Sequence, residues 1–452
     1  MRLIPLLSLC TGFFMVIMDA AIVNVALPNI ATGLNTTISW LQWIVNGYTL
    51  MFASLLLMAG YMSDQFGAKK LFQGGVVVFT LVSFLCGLSN SAWMLTLFRF
   101  LQGAAAAFMV PTSLALLNAS FPDEATRARA IGIWASTGGI ALTSGPIIGA
   151  VLTALFSWHA IFFVNIFFGL ISFIFTAIFV MNPMANPPEN KFDSIGQLFG
   201  IISIAALAFV LIEIGPTAWY SSKIIVSFCV FMIGTIGFII TELKVKAPML
   251  PLKFFKHKNF SISAIAGMVI NISFYGALFI LPLYFHRIRH YTVMMTGLAL
   301  LPFMVTCTFS SYFSGKISAV IGPKAPMRYG LFLAGIGFII MVIIVKYELL
   351  YPWFIIAFVI ASFGLGLVMP AATVAIIRSV SHHQAGMASG VFNTSRQIGS
   401  LIGVAIFGTI IVESSVFIFG VELSFIIAAV VLLFACLLTM WMLNDSSDVS
   451  IN

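Results

Sequence analysis

Polar residues in this chain are confined to short gaps between apolar stretches, and the stretches lack the every-second-residue alternation of a half-buried strand. The apolar segments fall at about 5–28, 40–60, 71–89, 92–118, 128–153, 158–181, 195–214, 222–242, 261–284, 293–316, 327–346, 352–377, 386–412 and 419–443. A helix needs about 20 such residues to cross a hydrocarbon layer of about 30 Å. Continuous apolar character strongly favours helices over the alternating strands of a membrane barrel. Many segments contain Gly or Pro, which spanning helices tolerate because neighbouring helices satisfy the freed backbone groups. The gaps are too short for a sizeable extramembrane domain. The pattern predicts an all-α membrane protein with fourteen spans.

Composition agrees with the pattern: 61% of the residues are hydrophobic and 8% charged, against roughly 25% charged in soluble domains. The net charge of +8 resides mostly in the gaps, where it orients the chain. With a cytoplasmic amino terminus, fifteen of the 21 Lys and Arg residues fall on the cytoplasmic side, Lys69, Lys70, Arg127, Arg129, Arg328 and Arg378 among them, and four fall opposite. That asymmetry predicts both termini inside. There is no polybasic run and no aromatic stacking platform, so no nucleic-acid partner is expected. Cys10, Cys86, Cys229, Cys307 and Cys436 lie in apolar segments without CxxC spacing and read as small hydrophobes. His382-His383 lacks a third ligand, and neither a metal nor a cofactor is expected. The chain turns apolar at Leu3 without a small-residue cleavage site before Asp19, which reads as a first span and not a removable leader.

Internal echoes divide the chain. Gly60-x3-Asp64-x2-Gly67 at the exit of span 2 is matched by Gly315-x3-Ala319-x2-Gly322 at the exit of span 10, 255 positions on. Gly103 through Pro111 resembles Gly364 through Pro370, and Ala130-Ile-Gly132 resembles Ala388-Ser-Gly390. Near-constant separation predicts two related six-helix halves with spans 7 and 8 inserted. The expected division is 1–185 for the first bundle, 186–250 for the inserted pair and its linkers (Met181–Asp193 and Lys244–Lys258), and 251–452 for the second bundle.

Candidate chemistry begins with Asp19, halfway along span 1. An ionised carboxylate facing lipid there costs at least about 2.5–3.5 kcal/mol, so it needs a partner, a water-filled cavity or a proton. The leading reading has Asp19 alternating between cavity and proton; the alternative is a permanent structural pair. Span 4 carries Arg99 and Gln102-Gly103, and Arg99 is the natural counterpart of Asp19. A nearby cation favours the ionised acid and burial the neutral one. Span 5 holds Gly138-Gly139 and then Gly145-Pro146-x2-Gly149, small residues for a close helix crossing beside a kink. In span 13, Asn393, Arg396, Gln397 and Ser400 fall on one polar stripe, and no deep acid in spans 9 to 12 or 14 stands ready for Arg396. Trp43, Asn46, Gly47, Leu50 and Ser54 share a face of span 2, with Tyr48 off it; Asn24, Trp43, Asn46 and Gln102, with Asn393, Arg396 and Gln397, are the candidate lining of an amphipathic cavity.

The stretch Gly60–Lys70 resembles the loop between helices 2 and 3 of the major facilitator superfamily, with Gln65 and Ala68 where that family carries arginines. The resemblance implies a cytoplasmic latch made by Gly60, Asp64, Gly67, Lys69 and Lys70, with Asp64 bonding across to other helix ends. The Arg99 segment resembles the span-4 arginine motif implicated in proton transfer, and Gly145-Pro146-x2-Gly149 resembles the antiporter motif of span 5. Trp158-His159-x2-Phe162-x2-Asn165 resembles the family's entry to span 6, with His159 in place of an arginine. Together with the Asp19 stretch, Phe192-Asp193-x2-Gly196-Gln197 and fourteen spans, the chain resembles the drug/proton antiporter branch with fourteen helices. That implies a major-facilitator fold of two six-helix bundles plus two central helices. The expected function is proton-coupled efflux of amphipathic small molecules across the bacterial inner membrane. An exporter of one anionic or zwitterionic metabolite, such as a siderophore, is the alternative, and a non-transporting receptor a remote third. The expected partners are protons, a small-molecule solute and membrane lipid; the chain is expected to be monomeric, with a periplasmic adaptor an optional addition.

Overall fold

A computed structural model describes residues 3–182, 192–245, 248–381 and 384–442. The His382-His383 pair and most of the Met181–Asp193 linker lie outside the described residues. The helices are α1 (Leu3–Gly33), α2 (Ile38–Phe66), α3 (Ala68–Gly87), α4 (Ala92–Ser120), α5 (Glu124–Leu155), α6 (Ala160–Phe179), α7 (Ser194–Glu213), α8 (Ser222–Lys244), α9 (Lys258–Arg287), α10 (Val293–Ala299), α11 (Leu301–Ile321), α12 (Lys324–Lys346), α13 (Tyr351–Arg378), α14 (Ala385–Glu413) and α15 (Phe417–Met442). Among the described residues fourteen segments are long and apolar enough to cross a membrane, α10 and α11 together supplying one. Span 10, expected as a continuous helix over 293–316, is broken at Leu300. Pro302 sits in the first turn of α11 and has no N–H to continue the ladder from α10. Several helices also outrun their apolar stretches, α2 reaching Phe66, because backbone hydrogen bonding continues past the point where lipid dictates side-chain type.

The chain forms two compact units. Unit 1 holds Met1–Gln197 with Phe285–Ala299, and unit 2 holds Leu198–Tyr284 with Leu300–Asn452. Inside unit 1, α2 packs along α4, α1 along α5, and α3 between α4 and α6. Inside unit 2, α11 and α12 pack on α13, and α12 also packs on α15. The start of α7 is fixed to α2. Asp193 Oδ1 accepts from the Gly196 N–H at 2.8 Å, and Gln197 Nε2 donates to the Ser54 carbonyl at 2.6 Å.

The two halves of one sequence echo carry the same backbone job. Gly67 ends α2 at φ +91° and Gly322 ends α11 at φ +82°, and these are the glycines of positive φ among the described residues. A residue with a Cβ would be strained in either turn. A further echo escaped the sequence reading. A Cβ on Gly145 would lie 3.3 Å from the Met18 carbonyl, and one on Gly149 2.9 Å from the Ile22 carbonyl. In unit 2 a Cβ on Gly399 or Gly403 would collide with the Met268 or Ile272 carbonyl. The α1–α5 crossing and the α9–α14 crossing therefore repeat one design: two glycines four apart press against a Met and an Ile four apart.

Candidate functional site

Five helices of unit 1 converge on Asp19. Its side chain has no solvent-accessible surface, and Arg99 from α4 is 1% exposed. Arg99 Nη1 bonds Asp19 Oδ2 as a direct ion pair. Asp19 Oδ1 accepts from Gln102 Nε2 at 3.0 Å and from Asn165 Nδ2 of α6 at 2.7 Å. Ser83 of α3 accepts from the same two amides at 3.1 and 2.9 Å and donates to the Phe162 carbonyl at 3.0 Å. Arg99 Nη1 also donates to Gln102 Oε1 at 2.7 Å and its Nε to the Ile44 carbonyl at 3.2 Å. Its guanidinium lies 4.3 Å from the ring centre of Tyr48, whose hydroxyl donates to the Val16 carbonyl at 3.1 Å. Both carboxylate oxygens are thus engaged, and the carboxyl stands buried in the paired state of the alternative reading, not open to a cavity as the leading reading has it. A pair this deep persists only when surrounding hydrogen bonds offset the loss of water, as these do.

Gln102, expected to line a cavity, instead bridges acid and base within this network. Asn165, Ser83 and Tyr48 were not singled out as site residues. The available signal was their polarity inside apolar spans, but only packing brings α3 and α6 to α1. Tyr48, read as off the useful face of α2, is the residue that covers Arg99. Of the other cavity candidates in unit 1, Trp43 is half-buried with its ring 6.3 Å from that of Phe100. Asn24 is buried and donates to the Ala20 carbonyl at 3.0 Å, leaving its Oδ1 without a hydrogen bond. Asn46 is buried with neither amide atom bonded. Such amides seek a ligand or water, because an unmet buried polar group costs roughly 1–3 kcal/mol.

In the Gly60–Lys70 stretch, Asp64 is exposed and makes no ion pair among the described residues. The cross-helix bonds come from Lys69, whose Nζ donates to the Ala177 carbonyl at 3.0 Å and the Val180 carbonyl at 2.7 Å at the end of α6. Lys70 and Gly60 are free of such contacts, Lys70 being exposed and Gly60 having open space where a Cβ would stand. Because Lys69 satisfies two terminal carbonyls of α6, Lys69→Met is expected to cost about 1 kcal/mol. Thermal unfolding in detergent should register that loss, with Lys70→Met as a silent control. The Pro146 carbonyl, between the close-packed Gly145 and Gly149, packs against α10, where a Cβ on Gly297 would lie 2.8 Å from it. His159 stacks on Trp158 at 3.7 Å, and burial lowers its pKa from the usual imidazole value. It stands apart from the Asp19 network.

In unit 2, Asn393, Arg396 and Gln397 are half-buried on α14. Arg396 Nη1 donates to Asn393 Oδ1 at 3.2 Å, and its Nε is buried without a partner. No carboxylate reaches it among the described residues. A guanidinium at this depth costs about 2.5–3.5 kcal/mol by insertion scales.

A bundle of fourteen apolar helices, with one unit holding a sealed acid–base pair and the other a deep arginine, has the construction of a multi-pass membrane transporter. The profile of the Major Facilitator Superfamily matches residues 9–404, and the chain belongs to that superfamily. It is 32% identical over 425 residues to the methylenomycin A resistance protein of Streptomyces coelicolor, covering 94% of this chain and 88% of the relative. It is 32% identical over 410 residues to the multidrug resistance protein Stp of Mycobacterium tuberculosis, covering 91% and 76%. Among solved structures, a bacterial homologue of the human lysosomal transporter Spinster matches with a TM-score of 0.67 at 15% identity, covering 97% of this chain and 96% of that one. That likeness concerns the fold.

Proposed function

We propose that the protein exports amphipathic small molecules across the bacterial cytoplasmic membrane by proton-coupled alternating access, with both termini in the cytoplasm. Relatives named for methylenomycin and multidrug resistance support the export direction. The observation that carries proton coupling is the Asp19 network itself, in which one acid anchors donors from α4 and α6. A proton on Asp19 cancels the charge that holds Arg99 and turns a strong acceptor into a weak one. The network is then free to loosen, and release of the proton re-forms it. Lys69, Gly67 and the glycine seam of α5 keep the surrounding helices in register while that exchange occurs.

The test is uptake of ethidium and of neutral and anionic fluorescent dyes into proteoliposomes carrying the purified protein and an imposed pH gradient. Uphill accumulation that collapses on adding a protonophore is the expected result. If no dye class accumulates against its gradient, the proposal fails.

A further inference from the structure

The two deep arginines of this chain are equipped in opposite ways. Arg99 spends its donors on Asp19, Gln102 and the Ile44 carbonyl and lies under Tyr48. Arg396 lies eleven residues beyond the first residue of the 29-residue α14 and is half-buried. Of its five N–H donors, one reaches Asn393 on its own helix, and Nε is buried with nothing to bond. Phe392 is the ring beside it, 5.8 Å from the guanidinium carbon. Tyr275 of α9 and Cys307 of α11 are the titratable groups that face it, and both are neutral in their ordinary forms. Gln397, one residue on, is half-buried and adds an amide free of intramolecular bonds among the described residues. A structural arginine is tied to carbonyls or to an acid, as Arg99 is. This one keeps its fork open.

We infer that Arg396, with Asn393 and Gln397, is the subsite of unit 2 that receives the carboxylate of an amphipathic aromatic acid. A planar guanidinium binds a carboxylate through paired charge-assisted hydrogen bonds, and partial burial strengthens them. The amides of Asn393 and Gln397 supply further donors to the same anion, and Tyr275, half-buried on α9, offers a ring to its apolar body. The inference rests on the export reading, since it assigns the class of solute that such an exporter carries.

The experiment uses the purified full chain and three sets of probes: naphthyl-, biphenylyl- and indolylacetic acid, each with its methyl ester and primary amide. Dissociation constants are measured for the wild type, Arg396→Gln and Arg396→Lys. The wild type should bind the acids about tenfold or more tightly than their esters or amides. Arg396→Gln should lose that preference with ester and amide binding unchanged, and Arg396→Lys should retain part of it. Equal binding of acid and ester by the wild type, no binding of any acid, or an undiminished preference in Arg396→Gln overturns the inference. Should Arg396→Gln fail to fold, the wild-type preference and its reduction in Arg396→Lys decide. Gradient-driven flux of the same probes separates the two readings. Acid preference without any proton-driven flux defeats the export proposal alone, whereas proton-driven flux indifferent to the carboxylate defeats the subsite alone.

Discussion

Asp19→Asn should abolish uphill efflux and destabilise the protein without preventing it from folding. Asparagine keeps an acceptor for the Gln102 and Asn165 amides that now bond Oδ1. On the other side, its NH2 would face the Arg99 Nη1 that Oδ2 now accepts. Two donors then oppose each other and a buried guanidinium loses its counter-charge, a change that costs about 3–5 kcal/mol in buried pairs. Adding Arg99→Gln should recover most of the stability, because the orphaned charge is gone, and none of the transport. Thermal unfolding in detergent measures the first effect and pH-driven flux in proteoliposomes the second. Undiminished uphill export by Asp19→Asn would remove Asp19 from the coupling role. Full stability in that variant would instead mean that the pair contributes nothing to holding α1, α4 and α6 together.

Gly149→Val is the second large effect. The first atom of the new side chain would stand 2.8 Å from Ile22 Cγ1 and 2.9 Å from the Ile22 carbonyl, with Val25 Cγ1 at 3.3 Å. A backbone carbonyl cannot swing away, so α1 and α5 must part. Overpacking of this kind costs about 1–3 kcal/mol. The displaced helix is the one that carries Asp19, so efflux should fall about tenfold or more. Gly145→Ala should be milder, since the nearest atom there is the Ala21 methyl at 2.8 Å and the backbone is no closer than 3.3 Å. Efflux rates at matched expression check both. Wild-type flux through Gly149→Val would mean that the crossing has slack.

The number and type of spans could be read from hydropathy alone, because lipid demands apolar side chains over a fixed length. The break at Leu300 could not, although Pro302 was its signal, since proline inside a span is often tolerated. The Asp19–Arg99 pair was legible because each is the isolated charge of its span and has few candidates for a partner. The rest of the network was not. Ser83 and Asn165 are ordinary polar residues in α3 and α6, and their role depends on which helices neighbour α1, a tertiary fact. For the same reason Gln102 was assigned to a cavity, and Tyr48 was placed off the working face. Asp64 was expected to latch, but the carbonyls at the end of α6 call for a donor, and Lys69 reaches them. The solitude of Arg396 was legible by elimination, from the lack of deep acids in the second half.

The opposite charges of Asp19 and Arg99 lie side by side, so the voltage across the membrane finds only a small dipole there and exerts almost no net force on it. A proton on Asp19 turns the same spot into a lone cation, and a full crossing of a 100 mV drop is then worth about 2.3 kcal/mol. On the proton-coupled proposal, sensitivity to the electrical part of the driving force is therefore conditional at this location. The empty carboxylate is blind to it, and the loaded one is pushed.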